Sequence, residues 1–138
     1  GVGIYEKNRF IQLGGFDATL TVPYWQYMDF GFRSHLWGEQ ITSTQLVKVM
    51  YEGELPAEDI SIDENYIRFF LKNLAPVFRG DSAHIPLRRF PSYLFKSGQG
   101  FLKAWDSFRE GRRWVYTNRY RFNSDARSLT ELWETGES

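Results

Sequence analysis

The chain has 138 residues, balances 17 Lys or Arg against 17 Asp or Glu for a formal net charge of zero, and contains no cysteine. That length suits one domain able to bury a hydrophobic core, while the missing cysteines exclude disulfides and thiolate zinc sites. No apolar run approaches the roughly 20 residues of a membrane span, and an acidic first half in a neutral chain leaves no excess field to steer a polyanion, which argues against a nucleic-acid partner.

In chain order, a strand or helix segment runs to Leu13 and ends at Gly14-Gly15, a pair that predicts a tight turn because glycine adopts positive φ without steric cost. Asp17 follows Phe16 and is placed to accept N–H bonds from one or two residues on, as in an Asx-turn. From Met28 to Trp37, apolar residues recur at Met28, Phe32 and Leu36, the i, i+4, i+8 line of one buried helical face, with Asp29 and Arg33 forming a second line beside it. Gly38 stops that helix as a C′ glycine. Ile41 to Tyr51 reads as a strand. After a polar link with Gly53 and Pro56, Ser61-Ile62-Asp63-Glu64 reads as a capping box. The helix it opens runs from about Glu64 to Leu74, with Tyr66, Phe70 and Leu74 on one face and Pro76 ending it.

The Arg79-Gly80-Asp81 turn separates this part from a basic one. Between Leu87 and Phe122 nine Lys or Arg face only Asp106 and Glu110, a surplus of seven, and aromatic residues are interleaved throughout. Pro86 and Pro91 break the next segment, and Gly98 and Gly100 precede a helix carrying Phe101, Trp105, Phe108, Arg112 and Val115 on its packed face, which Gly111 interrupts or ends. Ser128-Leu129-Thr130-Glu131 opens a last short helix with Leu132 and Trp133. Aromatic and cationic residues together are the composition of a surface that meets anionic lipid head groups, and the same residues also read as an ordinary packed helix. His35 and His84 are far apart in sequence and read as packed or surface residues, not metal ligands.

The series Gly14-Gly15-Phe16-Asp17, Asp29-Phe30 with Arg33, and then Gly38 and Ile41 resembles the carboxyl-terminal half of the catalytic domain of family 2 glycosyltransferases, inverting enzymes of the GT-A fold. It matches the order of that family's G-G-F-D-E motif, its acidic D-L-x-x-R helix and its R-x-x-x-x-G-Y-x-I spacing. Asn65 through Lys72 is similar to the aromatic helix that follows. The resemblance covers about the first 75 residues. It implies an α+β chain, predominantly helical with a few short strands: a partial GT-A (nucleotide-diphospho-sugar transferase-like) fragment over 1–78, the acceptor-side portion, followed by a basic, aromatic-rich helical extension over 79–138.

The resemblance further implies transfer of a sugar from a nucleotide sugar to a glycan or lipid-linked acceptor, a divalent metal in the full enzyme, and a cytoplasmic location peripheral to the membrane through 87–122. A homo-oligomer is compatible with it. In that reading Asp29 is the catalytic carboxylate, because the family's acidic pair is replaced by Gln26 and Tyr27, neither of which takes up a proton usefully near neutral pH. Gly14, Gly15, Phe16 and Asp17 shape the substrate loop, Tyr24, Trp25 and Tyr27 offer aromatic walls to a sugar, and Arg33 orients Asp29. The plainer reading is an i, i+4 ion pair between Asp29 and Arg33. The sequence has no Asp-x-Asp, P-loop or G-x-G-x-x-G element, so the chain alone is expected to lack the nucleotide-binding half. The alternative is a non-catalytic carbohydrate-binding or subunit-docking module derived from that fold.

Overall fold

The computed structural model describes residues 4–42, 46, 50, 52–53 and 63–129. These residues are mostly helical, with one two-stranded antiparallel sheet. Of the strand expected at Ile41 to Tyr51, Ile41, Thr42, Leu46 and Met50 are described and none is in a strand, while the rest of it and most of the last short helix lie outside the described residues.

Helix α1 (Lys7–Gln12) begins at Glu6, whose carboxylate accepts from the Asn8 and Arg9 N–H groups. It ends on the glycine pair. Gly14 N–H donates to the Ile11 carbonyl at 3.0 Å and Gly15 N–H to the Phe10 carbonyl at 2.9 Å, with φ of 85° and 64°. That is the double bond pattern of a Schellman C-cap, and it requires the left-handed backbone that glycine provides. Helix α2 (Pro23–Leu36) starts five residues earlier than its apolar period suggests, because Pro23 sits in the first turn where no N–H is needed. It stops on a second cap of the same kind, at Gly38 with φ of 86°.

Helix α3 (Glu64–Phe69) is capped by Asp63, whose side chain accepts from the Tyr66 N–H. Ser61 and Ile62 of the expected capping box lie outside the described residues. α3 continues as a π-helical turn, Phe70–Leu74, closed by Ala75 N–H on the Phe70 carbonyl at 2.9 Å. Strands β1 (Val77–Arg79) and β2 (Ser82–His84) pair across Gly80-Asp81, where Gly80 has a φ of 65°. A 3-10 turn (Leu87–Arg89) leads into α4 (Phe90–Ser97), so Pro91 falls in a first turn and does not break the segment. Helix α5 (Phe101–Thr117) passes straight through Gly111. The turn after it is capped by Asp125, whose carboxylate accepts from the Arg127 N–H, and the residues that Ser128 was expected to cap lie outside the described residues.

One core cluster draws Leu13, Phe30, Leu36, Ile67 and Leu71 together with Tyr93, Phe108, Val115 and Phe122. It spans both sides of the composition change near residue 78. The buried line of α5 is Ala104, Phe108, Gly111 and Val115, whereas Phe101, expected on that face, is 60% exposed. Gly111 lets α5 lie against the π turn: a Cβ there would stand 2.8 Å from Leu71 Cβ.

Candidate functional site: a buried ion network beneath a cleft

Four polar side chains sit inside the molecule where α2 meets the π turn: Asp29, Arg33, Lys72 and Asn73, all at or below 5% exposure. Charge this deep is tolerated only if each group is paired and hydrogen-bonded. Arg33 Nη2 donates to Asp29 Oδ2 at 3.0 Å, and Asn73 Nδ2 donates to Asp29 Oδ1 at 2.9 Å. Lys72 Nζ lies 3.0 Å from both Asp29 Oδ1 and Asp17 Oδ2, so one ammonium bridges two carboxylates. Arg68 Nε also donates to Asp17 Oδ2 at 3.0 Å.

The same guanidinium holds the glycine turn. Arg33 Nη1 donates to the Leu13 carbonyl and Nη2 to the Gly15 carbonyl at 2.6 Å. The loop that follows is fixed at Asp17, whose Oδ1 accepts from the Thr19 N–H at 2.9 Å and the Thr19 hydroxyl at 2.5 Å. Burial pushes the Asp17 carboxyl up, but the Thr19 bonds and the Lys72 ammonium outweigh it and hold the group well below the usual carboxylate range.

Beside this network lie two neighbouring cavities. A cleft of about 600 Å³ runs between α3 and α5, lined in part by Thr21, Asn65, Gln99, Ser107 and Trp114. A smaller one of about 350 Å³ is lined by Gly14, Phe16, Asp17 and Arg33 on one side and by Trp114 and Arg121 on the other. Thr19, Arg68, Lys72 and Trp114 border both. The larger cleft thus combines hydroxyls, amides and one indole with the charged Glu64, Arg68, Lys72, Lys103, Glu110 and Arg113, and its volume is that of a small-molecule site.

The expected site residues divide into four groups. Gly14, Phe16, Asp17 and Arg33 reach the smaller cleft. Gly15 is buried beneath it, where a Cβ would stand 3.1 Å from the Phe10 ring. Asp29 borders neither cavity and has no exposed surface; with its oxygens already bonded to three side chains, it positions Arg33 and Lys72 and is not within reach of an acceptor hydroxyl.

Tyr24, Trp25 and Tyr27 also stand away from the clefts. Trp25 is buried against Tyr66 and Phe69, Tyr24 packs on Trp25, and Tyr27 meets Phe16 edge-on. Their place as the aromatic wall is taken by Trp114, which stacks on Trp37 at 6.0 Å and lies 4.6 Å from Lys72 Nζ. Gln26, at the family's acidic position, donates to the Leu20 carbonyl at 2.6 Å.

Among the described residues no group of three or more His, Asp or Glu side chains is placed to hold a metal ion. Asp17, the carboxylate facing the smaller cleft, is already bound by two cations. The resemblance places its divalent ion in the full enzyme and not on these side chains. No helix among the described residues is long and apolar enough to cross a membrane. Compared with protein-family models, with proteins of curated function and with solved structures, the chain gives no match.

Proposed function

We propose that this chain is the acceptor-side portion of an inverting, family 2-like GT-A glycosyltransferase. It seats the acceptor saccharide in the 600 Å³ cleft and works with a nucleotide-binding portion that carries the donor. The observation that carries the reading is the Gly14-Gly15 turn. Arg33 pins it from beneath through two carbonyls, and it brings Gly14, Phe16 and Asp17 to the smaller cavity, which shares Thr19, Arg68, Lys72 and Trp114 with that cleft. A loop fixed this way is pre-organised, so little ordering is lost when a ligand binds. In this reading Thr21, Asn65, Gln99 and Ser107 hydrogen-bond the acceptor, Trp114 offers an apolar edge, and Asp29 acts at one remove by fixing Arg33.

One observation favours the second reading, a non-catalytic saccharide-binding module. The family's acidic pair is replaced by Gln26, which is engaged with a backbone carbonyl, and at the base position by Tyr27, which packs edge-on against Phe16; Asp17 is held too firmly as a carboxylate to take up a proton readily. Both readings place a glycan in the same cleft, and only the first yields transfer.

The test is a glycan array probed with the 138-residue chain, followed by assay of the retained glycans with nucleotide sugars and the full-length protein. Retention that falls in Gln99→Ala and Trp114→Phe, neither of which empties the core, supports the cleft. New glycosidic product supports the enzyme over the module. Absence of any retained glycan, or retention equal in both variants, overturns the assignment of the cleft.

A further inference from the structure

A third cavity, of about 500 Å³, lies between β2 and α5 and shares only Arg113 with the acceptor cleft. Arg109, Arg112, Arg113 and Arg119 line it, and no Asp or Glu does. The spacing of 109, 112 and 113 puts three guanidiniums on one face of α5. Arg119 reaches the groove from the turn that follows the helix. None of the four is in an ion pair among the described residues.

Two of the guanidiniums are held in place by the protein. Arg112 Nε donates to the Ile85 carbonyl at 2.9 Å, which leaves its two terminal nitrogens for another partner. Arg119 donates to the Tyr116 carbonyl at 2.6 Å, and its guanidinium carbon sits 3.9 Å from the Tyr116 ring centre and 4.5 Å from that of Tyr120. Ala83 N–H donates to the Arg119 carbonyl at 3.0 Å and ties β2 to the same turn. Arg109 and Arg113 are exposed and complete the ring.

Four like charges gathered around one concavity repel one another, and an anion seated between them relieves that repulsion. The number of forks selects the anion. A single carboxylate has two oxygens and is satisfied by one bidentate arginine, whereas a phosphoryl or diphosphoryl group offers enough oxygens to engage several. Arginine is also the side chain whose planar fork matches phosphate geometry.

We propose that the β2–α5 groove is a phosphoryl-binding site, separate from the saccharide cleft. It does not depend on the glycosyltransferase reading, since it stands on the arginines alone. The phosphoryl group has two available sources: a soluble phosphorylated ligand, or the headgroup of an anionic lipid. The exposed Leu87, Phe95, Phe101 and Leu102 occur in the same basic stretch of chain as these arginines.

The experiment titrates the 138-residue chain with inorganic pyrophosphate at low salt by calorimetry. In parallel it co-sediments the chain with phosphatidylcholine vesicles with and without phosphatidylglycerol. The variant is Arg109→Gln/Arg113→Gln, at two exposed helical positions where Gln keeps helix propensity. A charge-matched control is Lys7→Gln/Arg88→Gln, and thermal melts verify the fold of both.

Pyrophosphate should bind, with affinity falling about tenfold for each guanidinium removed and unchanged in the control. Retention on phosphatidylglycerol vesicles that pyrophosphate displaces, and that the double variant loses, places the phosphoryl group on a lipid. Pyrophosphate binding without vesicle retention places it on a soluble ligand. No pyrophosphate binding at low salt, or equal binding by the Arg109→Gln/Arg113→Gln variant, overturns the proposal whatever the vesicles do.

Discussion

Asp29→Asn is the sharpest perturbation of the buried network, because it is nearly isosteric and removes one charge. In the native chain Asp29 accepts from Arg33 and Asn73 and faces Lys72, all at 2.9 to 3.0 Å. An Asn keeps one acceptor oxygen and turns an NH₂ toward a donor, either Arg33 on one side or Lys72 and Asn73 on the other. The network of Arg33, Lys72 and Arg68 with Asp17 and Asp29 then holds three cations against one carboxylate. Removing one partner of a buried pair costs about 3–5 kcal/mol, largely because the other charge stays buried without compensation. That is a large part of the roughly 5–15 kcal/mol that holds a domain folded. Urea denaturation followed by tryptophan fluorescence reads it directly: with a slope of about 1–3 kcal/mol per molar, the midpoint should fall by about 2 M. A loss below about 1 kcal/mol, the range of exposed pairs, would mean that water reaches the carboxylate and would refute its assignment as a sealed positioning group.

Gly111→Ala gains up to about 1 kcal/mol of helix propensity but drives a methyl against Leu71 Cβ at 2.8 Å. The overlap, worth about 1–3 kcal/mol, should win and lower the melting temperature; a raised one would show that α5 shifts freely off the π turn. The carboxyls of Asp17 and Asp125 are held low in the fold: burial opposes this at both, while Thr19 and Lys72 prevail at Asp17 and Arg127 and the Phe78 N–H at Asp125. A depressed carboxyl stabilises the fold above its unfolded value of about 3.9 and loses that contribution as pH falls through the folded value. Stability should therefore hold from neutral to about pH 5 and decline steadily below it. Asp17→Asn should show a shallower decline, and an unchanged slope would remove Asp17 from the account.

Helices α2, α3 and α5 and the glycine turns were legible in the sequence because their causes are local, whereas α4 was read as broken at Pro91, which its first turn accommodates. Gly14 and Gly38 sit where a helix must end in left-handed backbone, and Asp17 closes an Asx-turn with the residue two positions on. What periodicity could not read was which line of α2 lies deepest. Of the expected line Leu36 is fully buried, but Met28 and Phe32 are only partly buried against a small second cluster, whereas Asp29 is sealed and Arg33 nearly so. Hydropathy places charges outside, and that rule fails where donors from elsewhere in the chain complete them; Lys72 and Asn73 lie more than 35 residues away and carry no mark of their destination. The cleft was hidden for the same reason. Its aromatic wall, Trp114, belongs to the basic stretch that composition sets apart, and only tertiary packing brings it opposite the glycine turn. The β1–β2 hairpin went unread as well, since three-residue strands offer too few positions for alternation to show.

The neutrality of the whole chain conceals a division of charge that follows from the buried network. Asp17 and Asp29 take Arg33, Arg68 and Lys72 as counter-ions, all from the first 78 residues. Of the nine cations between Leu87 and Phe122, only Lys103 meets an acid among the described ion pairs, through Glu64. Two of the chain's acids are instead spent in fixing the loop beside the cleft. The arginines on α5 are left facing water in a groove without a carboxylate. A protein that used its acids to quiet that groove would have lost the staple beneath Gly14 and Gly15. Rigid loop and cationic groove are thus two consequences of one distribution of charge, and weakening the first by Asp29→Asn should leave the anion affinity of the second intact wherever the fold survives.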